Sequence, residues 1–428
     1  MKKHTLSQLG ARAEDSPISW LMKAALDRPE LISLAAGFTD NATLPLKITR
    51  EILDGILGSS SKGRSALQYG TTQGDLTLRR LTARRLYSLD FPEISPENPP
   101  VSSYSAGNIV VTNGSQQFLY LLSEALYDPG DLILVEDPTY FVFLGIAKSL
   151  GMHCRGIRMQ ADGIDIKHLE EQLEGLRKSG EIRRLKMVYL VSYFQNPTGR
   201  NTTLEKKKQA LDLVRRYESH AGHPIFLLED AAYRELRFSG APVASMLSLD
   251  PHQERVIYTG TYSKSFATGV RVGFGVVPDS LLSTILRIKA NHDFGSPNLL
   301  QKLMVEVLTG TQYESHLQAI QRRYLRKSRV MLSVMKKSFP ASVHWDIPQG
   351  GLNAWVVLPR KWRTGLKSRI FKESLNQNVL YVPGNLCYAE DSGRRKPDHE
   401  MRISFGSASE PDIREGIRRL GRVFSKLQ

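Results

Sequence analysis

Short apolar runs recur along the chain of 428 residues, and a polar or glycine-containing turn follows them. Asn108 to Thr112 reads as a strand, Asn113-Gly114 as a turn, and Phe118, Leu119, Leu122, Ala125 and Leu126 then repeat at helical spacing as far as Asp128-Pro129-Gly130. Leu132 to Val135, Met187 to Val191 and Pro224 to Leu228 are further runs of the strand kind. Strands that alternate with helical patterns imply an α/β fold, a mainly parallel sheet covered by helices. Such sheets bind ligands beyond the carboxyl ends of their strands, so function is expected in the residues just after each run.

Those residues suit one cofactor. Lys264 stands among hydroxyl side chains in Gly260-Thr261-Tyr262-Ser263-Lys264-Ser265, and Arg271 follows at a fixed sequence distance. An amine able to form a Schiff base, beside groups that neutralise and hydrogen-bond a phosphate, is what holds a phosphorylated aldehyde, pyridoxal phosphate. Ser115 and Gln116 open a helix after Gly114, an anion site that can share the phosphate with Thr261, Ser263 and Arg271. The turn Asn196-Pro197-Thr198-Gly199 presents Asn196 beyond a strand. Glu229-Asp230 ends another, and an acid there can pair with a protonated pyridine nitrogen, making the ring an electron sink.

As a set, these segments resemble the fold-type I, class I/II pyridoxal-phosphate aminotransferases, most of all the branch with 2-aminoadipate, kynurenine and aromatic aminotransferases. The resemblance runs from Leu34-Ala35-Ala36-Gly37 to Met401-Arg402-Ile403-Ser404-Phe405, nearly the whole chain. It implies transfer of an amino group between an L-amino acid and a 2-oxo acid in two half-reactions. It also implies a homodimer with shared active sites. By resemblance Lys264 is the Schiff-base lysine and Asp230 the partner of the pyridine nitrogen. Asn196 and Tyr233 meet the ring's phenolic oxygen, and Tyr140 stacks on the ring face. Ser115, Gln116, Thr261, Ser263 and Arg271 hold the phosphate, which Tyr69 reaches from the neighbouring subunit. Arg402 grips the substrate α-carboxylate, and the Gly37 backbone approaches it. This chain departs from the pattern at Gly37-Phe38-Thr39, where relatives often read Gly-Leu-Pro, at Ala231-Ala232 in place of Asp-Pro, and at Thr268 in place of proline.

Length leaves room for more than one core. The expected division is an N-terminal segment 1–50 packing with the small domain, a large cofactor domain 51–310, and a smaller α+β domain 311–428. A long helical pattern from His316 to Phe339 links the last two, and a short amphipathic helix is expected around Ser19 to Leu26. The net charge of +15 is spread over dispersed clusters such as Arg79-Arg80, Lys206-Lys207-Lys208 and Arg322-Arg323, so solvated helix faces are expected rather than specific nucleic-acid binding. The two cysteines, Cys154 and Cys387, suit reduced thiols, and the ten histidines show no metal-ligand spacing. The basic start Met1-Lys2-Lys3-His4 is not followed by the apolar core of a signal peptide, and no run reaches a membrane span, so a cytoplasmic protein is expected. Two other readings share these motifs: a β-lyase of the same fold, and a ligand-sensing regulator, for which the stretch before the first motif is short for a DNA-binding domain. Arg12 is a candidate for a distal substrate carboxylate.

Overall fold

The computed structural model describes residues 5–13, 19–21, 23, 27–94, 102–391 and 394–427. The helix expected over Ser19 to Leu26 therefore lies partly outside the described residues.

A short strand β1 (Ile32–Ser33) precedes the main sheet of β2 (Ile109–Asn113), β3 (Leu132–Asp137), β4 (His153–Gln160), β5 (Gly163–Ile164), β6 (Leu185–Leu190), β7 (Phe226–Asp230), β8 (Val256–Thr261) and β9 (Val272–Val276). Their order is β2-β9-β8-β7-β6-β3-β4-β5, and β8, β7, β6, β3 and β4 run parallel. The central strands are buried along almost their whole length, as expected where helices such as Gly114–Leu126, Phe141–Leu150 and Leu204–Ala221 cover them.

The sheet is not wholly parallel. β9 lies antiparallel between β2 and β8, and β5 is antiparallel to β4 at the far edge. Glycines weaken the strand signal of Val272-Gly273-Phe274-Gly275-Val276, yet they are why it can sit there. A β-carbon on Gly273 would lie 2.5 Å from the Ser115 backbone nitrogen, and one on Gly275 would lie 1.9 Å from the Phe118 ring. Both bare positions admit the helix Gly114–Leu126 against the sheet.

A second sheet joins β10 (His344–Trp345), β11 (Asn353–Val357), β13 (Val382–Pro383) and β14 (Glu400–Ser404) in the antiparallel order β10-β11-β14-β13. The long helix Gln312–Ser338 and the last helix Glu410–Ser425 pack on one another beside it, with Phe339 against both Phe424 and Trp345. Between the sheets, β1 pairs in parallel with β12 (Val379–Leu380), and the Ser404 amide donates to the Leu34 carbonyl at 2.7 Å. Residues Ala35 to Gly37 are thereby laid beside β14 and delivered to the ends of the main-sheet strands. Among the described residues, no helix is long and apolar enough to cross a membrane.

Candidate active site

A cavity of about 500 Å³ opens beyond the carboxyl ends of β6, β7 and β8. Gly37, Ser115, Gln116, Tyr140, Asn196, Asp230, Tyr233, Thr261, Ser263, Lys264, Arg271 and Arg402 all line it. Of the site residues that the resemblance implies, Tyr69 alone is elsewhere. Tyr69 is 81% exposed, and its ring meets that of the exposed Phe294 at 5.4 Å.

One end of the cavity is an anion cradle. Helix Gly114–Leu126 begins there without a side-chain cap, leaving its first amides open. Thr261 Oγ1 donates to Ser263 Oγ at 3.0 Å, and Arg271 Nη1 donates to the same Ser263 oxygen at 3.3 Å. Gly114 has a φ of +71°, and a β-carbon on it would fall 2.6 Å from Arg271 Nη2, so a side chain there would displace the guanidinium. Helix amides, hydroxyls and a guanidinium without a carboxylate among them fit a phosphate.

Asp230 closes the opposite end. Its Oδ2 accepts from Tyr189 Oη at 2.9 Å and its Oδ1 from the Ala232 amide at 3.0 Å. Burial pushes its carboxyl up to about 6, and these two donors oppose that shift. A cationic ring nitrogen is the partner such a carboxylate lacks, so the residues present fit a pyridine ring between Asp230 and the cradle.

Lys264 lies between the two ends, where its Nζ donates to the Gly37 carbonyl at 2.8 Å. Burial, with Arg271 and Arg402 nearby, pulls the amine down to about 8. Among the described residues three lysines are fully buried, and each has an acid: Lys207 with Glu229, Lys289 with Asp293, Lys327 with Asp40. Lys264 instead meets a neutral carbonyl, which leaves its amine available for chemistry.

Arg402 enters from β14 and is 2% exposed. Its Nη1 donates to Asn196 Oδ1 at 2.7 Å and its Nη2 to the Ala35 carbonyl at 2.6 Å, both neutral acceptors, while its Nε is buried without a partner. Burial pulls its pKa down. A buried cation held only by neutral groups is costly unless an anion joins it.

The rest of the wall is Phe38, Gly114, Phe141, Val142, Val191, Ala232 and Thr268, so among the described residues Asp230, Lys264, Arg271 and Arg402 are its only charged members. Arg12 is elsewhere: its Nε donates to the Ser149 carbonyl at 3.0 Å, at the end of helix Phe141–Leu150. Tyr189 was not singled out by sequence reasoning, although a tyrosine inside a buried strand must find a partner for its hydroxyl. Glu136, at the end of β3, is another such residue: burial lifts it to about 8, and it accepts from Gln195 Nε2 at 2.7 Å beneath the Asn196 turn.

A family model for class I and II aminotransferases matches residues 29–420. The chain is 32% identical over 421 residues to aromatic-amino-acid aminotransferase 1 of Thermococcus litoralis, covering 98% of this chain and 93% of that one. It is 30% identical over 419 residues to the 2-aminoadipate transaminase of Thermus thermophilus, covering 97% and 95% of the two. Among solved structures it is similar to kynurenine aminotransferase of Pyrococcus horikoshii in complex with PMP, KYN and KYA, with a TM-score of 0.87, 30% identity, and coverage of 99% of this chain and 97% of that one.

Proposed function

The chain belongs to the class I and II aminotransferases, and from that premise we propose a role for each group around the cavity. It is a pyridoxal-phosphate-dependent enzyme that moves an amino group between an amino acid and a 2-oxo acid. When bound, the cofactor supplies a carbonyl that accepts and then returns the amino group, and a ring that takes up charge from the substrate α-carbon.

Lys264 holds the cofactor through its Nζ and, once displaced by a substrate amine, moves a proton at the substrate α-carbon. An amine held near 8 is partly neutral at physiological pH, as a base must be. Asp230 keeps a proton on the ring nitrogen, and Asn196 and Tyr233 hydrogen-bond the phenolic oxygen. Tyr140 lies on the ring face. Ser115, Gln116, Thr261, Ser263 and Arg271 hold the phosphate, and the Gly37 backbone borders the substrate carboxylate.

The observation that carries the substrate half of this reading is Arg402, buried on neutral acceptors with Nε unpartnered. A carboxylate supplies the missing charge and takes the planar fork. Beyond that carboxylate the wall is apolar, formed by Phe38, Phe141 and Val142, and among the described residues no cation besides Lys264, Arg271 and Arg402 lines the cavity. Amino acids with apolar or aromatic side chains are therefore the proposed donors, in keeping with the aromatic-amino-acid and kynurenine aminotransferases that the chain is similar to. Steady-state kinetics of Arg402→Lys test the reading. The charge survives but the fork does not, so kcat/KM for phenylalanine and for its oxo-acid partner should both fall about 10²-fold, the scale of a lost charged hydrogen bond, with cofactor still bound. Damage to only one of the two, or a parent enzyme that prefers aspartate to phenylalanine, would refute it.

The reading extends to a cytoplasmic homodimer, with residues 51–310 forming the cofactor domain, 311–428 the small domain, and 1–50 packing with the latter. Tyr69 supports the dimer, because it is exposed in its own chain and absent from its own cavity. Tyr69→Ala and Lys264→Ala should each be impaired. In a mixed dimer one site carries both defects and the other neither, so subunit exchange of equal amounts should restore about a quarter of parental activity. No recovery despite proven exchange would place Tyr69 outside the partner's site.

A further inference from the structure

The register of the main sheet pairs Tyr189 on β6 with Leu228 on β7, and Asp230 lies two residues beyond Leu228, on the same face. Tyr189 is fully buried, and its ring stacks on Phe143 at 4.1 Å with 27° between planes. That stack aims the hydroxyl, which donates to Asp230 Oδ2 at 2.9 Å while the Ala232 amide holds Oδ1 at 3.0 Å. Tyr189 does not line the cavity. We infer that Tyr189 is a positioning residue for cofactor binding, fixing the plane of the Asp230 carboxylate and keeping it ionised through the hydrogen bond it donates. The inference rests on the reading of Asp230 given above and adds to it a group that never touches the cofactor.

Burial favours the neutral carboxyl, and a hydrogen bond donated to the carboxylate favours the charged form. With two donors in place the balance puts Asp230 near 6, and removing one moves it upward. The other titratable groups facing Asp230 are Glu136 on β3, Tyr140 ahead of helix Phe141–Leu150 and Tyr233 after β7, while Lys264, Arg271 and Arg402 share its cavity.

Tyr189→Phe removes the hydroxyl and keeps the ring stack. Equilibrium dialysis of the cofactor-free full chain with pyridoxamine phosphate, whose amine does not condense with Lys264, reads affinity without the covalent bond. In the parent, affinity should fall as pH drops through about 6 and approach that of Asp230→Asn. In Tyr189→Phe the fall should begin about one pH unit higher, the size expected for losing one hydrogen bond to a charged group. The hydroxyl should make no difference in an Asp230→Asn background. An affinity lowered equally at every pH with the midpoint unmoved would reduce Tyr189 to packing and overturn the inference. So would a midpoint shift that persists in the Asp230→Asn background, since Tyr189 would then act through another group. If Asp230→Asn itself keeps the parental pH profile, the reading of Asp230 fails and the Tyr189 inference fails with it. That outcome is distinct from a normal Asp230→Asn response beside an unmoved Tyr189→Phe.

Discussion

Lys264→Ala should lower turnover by about 10⁴-fold or more, since the same amine anchors the cofactor and moves the α-proton, and a positioned proton carrier alone contributes up to about that factor. The fold should be unaffected, because the amine's hydrogen bond goes to a neutral carbonyl at 2.8 Å rather than into an ion pair. The parent should be yellow when loaded, and borohydride should leave a pyridoxyl group on Lys264. Peptide mapping decides the case. A label on any other lysine, including the buried and acid-paired Lys207, Lys289 and Lys327, would sink the assignment.

Asp230→Asn should keep the cofactor and lose about 10²-fold or more in kcat. The amide preserves shape, and the phosphate cradle is remote from it. What goes is the negative charge that keeps the ring nitrogen protonated, an interaction on the scale of a charged hydrogen bond, about 2–3 kcal/mol. The parent has its own pH signature. A carboxyl raised to about 6 in the cofactor-free chain is ionised above that pH and protonated below it, but a protonated ring nitrogen beside it favours the ionised form, so parental kcat should hold as pH falls through about 6, where the cofactor-free chain loses affinity. Turnover near parental with full cofactor occupancy would remove Asp230 from the mechanism.

The main sheet and part of the cavity were legible in the sequence because open α/β sheets place their ligands at strand ends, and Ser115, Asn196 and Asp230, which follow runs read as strands, do line the cavity. Thr261, Ser263, Lys264 and Arg271 were read from their own motif, and Gly37, Tyr140, Tyr233 and Arg402 from the resemblance. The antiparallel β9 was illegible because Gly273 and Gly275 weaken a strand signal while making room for a helix. Tyr189 and Glu136 were missed because inside a buried strand their partners, Asp230 and Gln195, are set by register and by a turn, and neither is visible in local spacing. Arg12 went the other way: its charge suggested a ligand, but it binds a helix-end carbonyl.

The bare positions at Gly114, Gly273 and Gly275 also decide where this enzyme can diversify. The anion cradle is shaped by missing atoms, and any side chain at these glycines strikes Arg271, the helix backbone or Phe118. No conservative replacement exists for an absent β-carbon, so this end of the cavity offers variation no gradual path. Phe38, Phe141 and Val142 can each be shortened, lengthened or rebranched without touching the cradle. New donor preferences, whether arising by drift or by laboratory selection, should accumulate at those wall positions, while libraries randomised at the three glycines return mostly glycine.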